Sequence, residues 1–203
     1  MPDVPQAHRD ERRRQILRAA HACFGREGIH GTSVQDICEE ADVSVGTIYR
    51  YFEGKADLVR GLAEWARLDK EKMVAGLEDE PPLAAVQSLA RRLLAPLGSR
   101  SGREAARLDV RLWAEALTSE ELEAIWRENY EALHREVSDL VEAGQEAGEI
   151  RRDVPAAEAA RVFLALGQGA IMLQSLELGL ESGPFLDTLT ATLVRGLAAG
   201  EEG

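Results

Sequence analysis

Residues 44–51 read Ser-Val-Gly-Thr-Ile-Tyr-Arg-Tyr. Two small hydroxyls flank a glycine, and two phenols then flank a guanidinium. No acid interrupts them. A short helix opening on Ser44, Val45, Gly46 and Thr47 can lie close against a groove wall. Tyr49, Arg50 and Tyr51 then bring donors for phosphates or base edges. Gly46 costs about 1 kcal/mol relative to alanine in a helix, so its value is close approach without a Cβ. Ile48 and Phe52 supply the inward anchor. Helices starting at Ser33 and Lys55 each direct free N–H groups where a phosphate can sit. Arg9, Arg12, Arg13, Arg14 and Arg18 form a basic cluster upstream.

Other chemistries have weaker support. Glu27/His30 and Glu131/His134 both have Glu-x-x-His spacing, which paired on helices is a di-iron signature. The first straddles Gly28 in an expected turn, so no metal site is expected. Gly167-x-Gly169 lies inside an expected helix with no strand before it, so it reads as close helix packing and not as a dinucleotide loop. Cys23 and Cys38 fall on apolar helix faces and read as small hydrophobes. No Ser/His/Asp or Cys/His arrangement stands out. The chain reads as neither enzyme nor cofactor protein.

The elements that position these groups are helical. Ala (30), Leu (26) and Glu (25) supply 81 of the 203 residues, against 26 for Val, Ile and Thr. The expectation is an all-α protein. A first helix spans about 10–25, with Ile16, Leu17, Ala20, Cys23 and Phe24 on its apolar face and a stop at Gly28-Ile29. A short second helix starts at Thr32 or Ser33, where Thr32 and Gln35 have capping-box spacing. It carries Val34, Ile37, Cys38 and Ala41 inward. Asp42-Val43 is a tight turn, and Ser44 caps a third helix from Val45 to Tyr51. A longer fourth helix starts near Lys55 with Leu58, Leu62, Trp65 and Leu68. This is helix-turn-helix patterning. Further helices are expected from Pro82, from about Arg103, from the Ser119 cap to Gly144–Gly148, from Pro155 at the first helical position to about Leu178, and from 182–184 onward.

Charge sets limits. The net charge is −12. Residues 1–60 hold 9 Lys/Arg and 10 Asp/Glu, whereas residues 61–203 hold 15 and 26. A near-neutral head on an acidic body permits phosphate contact at one end only. This disfavours an architectural coat of nucleic acid. The longest apolar stretch, Val162 to Leu173, has twelve residues, short of the ~20 that span a bilayer. With no apolar leader and two cysteines, a soluble, cytoplasmic protein without a membrane partner is expected.

Residues 12–59 carry a denser pattern. Phe24, Gly28-Ile29, Thr32-Ser33-Val34, Ile37, Ala41, Val43-Ser44, Gly46-Thr47-Ile48-Tyr49, Tyr51-Phe52, Lys55 and Leu58 stand in register without gaps. In this the chain resembles the N-terminal domain of the tetracycline-repressor (TetR) family. Beyond residue 59 the likeness rests only on helicity, length and two final apolar helices. The resemblance implies a homodimeric regulator that binds a palindromic double-stranded operator and is released by a small-molecule effector. It places phosphate contacts on Ser33, Tyr49, Tyr51 and Lys55. It places base reading on Ser44, Val45, Gly46, Thr47 and Arg50; Val45 has only a thymine methyl to contact. The expected division is a helix-turn-helix domain over 1–54, ordered from about residue 10, and a ligand-binding and dimerisation body over 55–203. The competing reading is a helical ligand-binding or enzymatic body with a vestigial head.

Two surfaces of the body are expected from its residues. Trp65, Trp113, Trp126, Tyr130 and Phe163 line one apolar effector cavity or fill the core, with Gln168, Asn129, His134 or Arg107 as polar orienting groups. The helix from Pro155 is apolar nearly all round and needs cover on two sides. With the last helix it offers a dimer interface of Phe163, Leu166, Gly167, Ala170, Leu186, Leu189, Leu193 and Leu197, where Ala165 and Gly169 also permit close approach.

Overall fold

The structure, a computed structural model, describes residues 6–178 and 183–199, without the side chains of Gln6, Arg67, Asp69, Lys70, Glu71 and Leu186. Among the described residues the chain forms nine α-helices: α1 Gln6–Glu27, α2 Val34–Ala41, α3 Val45–Ile48, α4 Lys55–Val74, α5 Pro82–Leu94, α6 Arg100–Ala116, α7 Glu120–Glu146, α8 Ala156–Ser175 and α9 Gly183–Leu197. The one extended pairing among them is the antiparallel bridge Ile150–Ala198, which ties the end of α9 to the α7–α8 loop. The all-α expectation holds.

Local chemistry sets the boundaries. α1 runs further than expected at both ends and stops at Gly28, whose φ of 84° suits a residue without a Cβ. The capping box on α2 is made by Ser33 and Asp36, not by Thr32 and Gln35. The Ser33 N–H donates to the Asp36 carboxylate at 2.7 Å and the Asp36 N–H to Ser33 Oγ at 3.1 Å. The Ser33 N–H, and after it the Ser33 hydroxyl, which also donates to the carboxylate at 2.8 Å, hold the Asp36 carboxyl below its ordinary range. Thr32 instead donates its hydroxyl back to the Gly28 carbonyl at 2.8 Å, closing the α1–α2 turn. Asp42 ends α2 in the left-handed region, φ 50°, a conformation aspartate accepts better than most side chains. α3 keeps α-helical geometry only over Val45–Ile48; residues 49–51 continue as turns whose N–H groups reach Val45, Thr47 and Ile48 carbonyls. α6 starts at Arg100, three residues earlier than expected, because Ser99 caps it through the Gly102 N–H at 2.9 Å. Pro155 is the N-cap of α8 and not its first residue, and α8 ends at Ser175, where Leu176 and Glu177 (φ 56°) break it.

The head has no core of its own. Ile16, Phe24, Ile37, Ile48 and Phe52 share one apolar cluster with Leu58 and Leu62 of α4 and with Leu108, Leu112, Ala116 and Leu122 of the body. A second cluster joins α5, α7, α8 and α9 around Leu89, Val137, Ala160 and Phe163. Leu68 of α4, expected inward, is exposed.

α8 is 20 residues long, and its length and hydropathy match those of a membrane span, more than its twelve-residue apolar stretch suggested. Its inner face packs on α6 and α7.

Candidate nucleic-acid interface and effector cavities

α3 is held from below and open above. Ile48 and Phe52 are fully buried beneath it. Ser44 caps it through the Thr47 N–H at 3.2 Å, and the Ser44 and Thr47 hydroxyls meet at 2.9 Å. Its free side presents Ser44, Val45, Gly46, Tyr49 and Arg50, all exposed, with Thr47 half-buried. Tyr49 is 56% and Val45 45% exposed, which is costly placement for a phenol ring and an isopropyl group if folding alone decided it. A Cβ built on Gly46 meets only Ser44 Oγ at 4.0 Å. Nothing inside the protein requires glycine there, so the open space faces outward. The Arg50 guanidinium sits over the Tyr51 ring, 5.9 Å from its centroid.

Ser33 and Lys55 flank this surface at the starts of α2 and α4. Lys55 Nζ donates to the Thr32 carbonyl at 3.2 Å, which uses one of three ammonium donors and ties α4 to the α1–α2 turn. Gln15 fixes the other end of α2 by donating to the Ala41 carbonyl at 2.7 Å. Four arginines of the α1 cluster are engaged within the fold: Arg13 with Glu64, Arg14 and Arg18 with Glu11, Arg12 with Gln15. Such exposed pairs are worth little and yield readily to a phosphate. Cys23 and Cys38 are buried, and burial pushes both thiols up, so neither is a reactive thiolate. No group of His, Cys, Asp or Glu among the described residues has metal-binding geometry.

In the body the six residues expected to line one cavity divide three ways. Trp65 lines a cavity of about 250 Å³ between α1, α4, α6 and α8, with His21, Leu62, Leu97, Asp109 and Ile171. Trp113, Trp126, Tyr130 and Gln168 line a different cavity of about 280 Å³ between α6, α7 and α8. Phe163 is 3% exposed and belongs to the α5–α7–α8–α9 core. The reason is helical phase: on α8, Phe163 and Gln168 point about 140° apart. The other polar groups considered for a cavity are structural. Asn129 donates to the Ala63 carbonyl of α4 at 3.3 Å, and the His134 ring meets the Ala157 carbonyl at 2.9 Å.

Sequence reasoning missed the part played by α6. Arg111 donates to the Phe24 carbonyl and, at 2.7 Å, to the Gly25 carbonyl, so it caps the C-terminus of α1. One turn earlier, Arg107 donates to the Ser175 carbonyl at 3.3 Å and pairs with Glu177, capping α8. α6 thereby grips the head with one arginine and the body with the other. Spacing of i and i+4 put both on one helix face, but nothing in the sequence said that the partners were carbonyls.

Most of the residues expected in a dimer face are turned inward. Phe163, Ala170, Leu193 and Leu197 are buried in the chain's own cores, and Leu189 packs half-buried against the small cluster of Leu94, Leu97, Ala106 and Ala170. Leu186 lies outside the described side chains. Of the residues named, Leu166 is exposed and Gly167 half-exposed. The outward face of α8 is instead Val162, Ala165, Leu166, Gly169 and Met172, continued by Leu176. A helix apolar around its circumference gives no phase from composition, so the sequence could not select between these faces.

Comparison with known proteins extends the resemblance to most of the chain. Residues 16–62 match the family described as bacterial regulatory proteins, tetR family, and residues 82–199 match the BetI-type transcriptional repressor C-terminal family. The body therefore carries family likeness of its own, beyond helicity and length. The chain is 29% identical over 194 residues to the HTH-type transcriptional repressor Rv1474c of Mycobacterium tuberculosis, covering 95% of each. It is 25% identical over 172 residues to the HTH-type transcriptional regulator UidR of Escherichia coli K12, covering 84% of this chain and 85% of UidR. Among solved structures it superposes on Salmonella enterica GusR with a TM-score of 0.73 and 26% identity, over 92% of this chain and 95% of GusR. The family binds DNA operators and small-molecule effectors and forms dimers. With an open recognition surface on α3 and both parts of the chain matched, this protein belongs to the TetR family of helix-turn-helix transcriptional regulators.

Proposed function

We propose that the protein is a cytoplasmic homodimeric repressor, without enzymatic activity, that leaves a palindromic operator when a small apolar effector binds its body. The observation carrying this reading is the open side of α3, where Gly46 has no internal neighbour to justify it and Tyr49 stands 56% exposed. A vestigial head would have no reason to hold these groups outward. Ser33, Tyr49, Tyr51 and Lys55 serve as phosphate contacts. Ser44, Val45, Gly46, Thr47 and Arg50 face base edges. The division into a head over 1–54 and a body over 55–203 follows the same roles, although apolar packing runs across it.

The effector cavity is the one beside Trp65, because His21 of α1 and Leu62 and Trp65 of α4 line it together with Leu108 and Leu112 of α6. A ligand there touches the head, its linking helix and the helix that Arg111 anchors to α1. It therefore has differential contacts with any two head positions, as linkage requires. The dimer face is the outward side of α8 with its Val162, Leu166, Gly169 and Met172. Two recognition helices must then reach grooves about 34 Å apart or a multiple of it.

Hydroxyl-radical footprinting of the DNA upstream of the gene tests this reading. Two protected half-sites on one face of the duplex are expected. A single protected half-site would remove the dimer, and no protection would remove the regulator.

A further inference from the structure

The aromatic cavity between α6, α7 and α8 shares no lining residue with the one beside Trp65. Its walls are built from rings. Trp113 and Trp126 meet edge to face, centroids 5.8 Å apart at 65°. Tyr130 stacks on His134 at 5.9 Å and 28°, and the His134 ring is held to α8 through the Ala157 carbonyl. The phenol wall is thus braced from behind. Leu164 and Leu133 form the floor. Trp113 remains 45% and Tyr130 37% exposed, so these rings hold apolar area that the fold leaves in water. The only charges in the lining, Glu123 and Arg127, neutralise each other as an i, i+4 pair. Gln168 also lines the cavity, and its amide has no hydrogen-bond partner among the described residues.

We propose that this cavity is a second ligand site, separate from the effector cavity, that takes a neutral planar aromatic molecule bearing one hydrogen-bonding group. A flat aromatic ligand packs against the exposed parts of the Trp113 and Tyr130 rings in the edge-to-face or offset contacts that aromatic pairs prefer. The paired rim charges leave no field to favour an anion or a cation. The Gln168 amide both donates and accepts, so it serves a single hydroxyl or carbonyl on the ligand. Through Leu164 and Gln168 the site touches α8, the helix whose outer face is offered to a second copy, so occupancy bears on the dimer and not directly on the head.

The three tryptophans of the chain divide between the cavities, Trp65 in one and Trp113 and Trp126 in the other. Fluorine NMR of the full chain labelled with 5-fluorotryptophan therefore reads each site separately. The probe is 2-naphthol, with 2-naphthoate and a naphthyl-trimethylammonium salt as charged comparators. The expected result is a saturable shift of the Trp113 and Trp126 signals with one common Kd, while Trp65 stays in place. Both charged comparators should bind at least tenfold more weakly. Gln168→Leu should weaken 2-naphthol by roughly three- to tenfold, the loss of one hydrogen bond. Trp113→Ala, at an exposed position, should weaken it further with helicity unchanged. A shift of Trp65 along the same binding curve as Trp113 and Trp126, equal binding of either charged comparator, or indifference to both variants would overturn the proposal. So would the absence of any saturable shift, which would leave the groove to be covered by a second copy. None of these outcomes depends on DNA release, so the effector reading stands or falls apart from them.

Discussion

The head and the body of this protein both break the economy of folding, but they break it differently. In the head the violations are few, local and chemically specific: a glycine in α3 with nothing against it, an exposed phenol beside an exposed guanidinium, an aspartate in the left-handed turn before them. Together they name a partner, because only a phosphate-lined groove needs small residues at one end of a helix and donors at the other. In the body the violations are broad and chemically plain. Val162 and Met172 along α8, and Leu176 just past its end, stand exposed, and they mark a surface without a polar group to name what covers it. A polar site carries its ligand's geometry in its own donors and acceptors, whereas an apolar face records only that something else must exclude water.

Substitutions on α8 and α9 sharpen this comparison most. Gly169→Glu places a carboxylate on the outward face, where a Cβ meets nothing within 4 Å. Helical content should be kept, while sedimentation equilibrium shows a monomer and operator affinity falls roughly 10²–10⁴-fold from lost bivalency. Leu193→Glu differs in kind. Leu193 is 9% exposed within the chain's own core, so a charge there should cost more than about 4 kcal/mol and unfold the chain in a urea titration. If the two variants behaved alike, the outward face of α8 would be misassigned.

The seam between the regions comes next. Arg111→Ala leaves the carbonyls at the end of α1 without their cap and should cost about 1.5–3 kcal/mol in chemical denaturation. Arg127→Ala, removing only an exposed pair with Glu123, should cost less than about 1 kcal/mol. In the head, Lys55→Ala should weaken binding to every duplex and lower the salt slope by about one, whereas Tyr49→Ala, which removes no charge, should weaken every duplex with the slope nearly unchanged. Thr47→Ala should relax preference at one or two base pairs instead. The smallest effect is that of pH. Burial, opposed by Glu104, lowers the His21 pKa, so below about 6.5 the unfolded chain binds a proton that the folded one refuses. Stability is therefore highest above that pH and declines as pH falls toward the folded pKa, by at most about 1.4 kcal/mol per unit. His21→Gln should flatten this slope in thermal melts between pH 5 and 7.

Much of this was legible in the sequence for identifiable reasons. Most helices of the body announced themselves through periodic leucines and caps such as Ser119, and α8 through an apolar run behind Pro155. The buried set of α1, Ile16, Leu17, Ala20, Cys23 and Phe24, followed from spacing alone. What stayed hidden were contacts between distant segments. Arg107 and Arg111 cap helices some 70 and 87 residues away in sequence, and no local pattern encodes an arginine's choice of carbonyl. The phase of α8 was equally hidden, since an apolar circumference looks the same from every side. The effector cavity expected from scattered aromatics became two cavities and a core phenylalanine, because ring-bearing residues on different helices share a site only if helical phase brings them together.

The recognition surface on α3 can be tested without knowing any effector. Fluorescence anisotropy with a labelled duplex from upstream of the gene, and with its scrambled counterpart, should be followed between 50 and 200 mM salt. Two chains should saturate one upstream duplex, with log affinity falling linearly in log salt and preference over the scrambled duplex of at least about 10³-fold. Equal affinity for the two duplexes, or no binding to either at the lowest salt, would contradict sequence-specific recognition by this head.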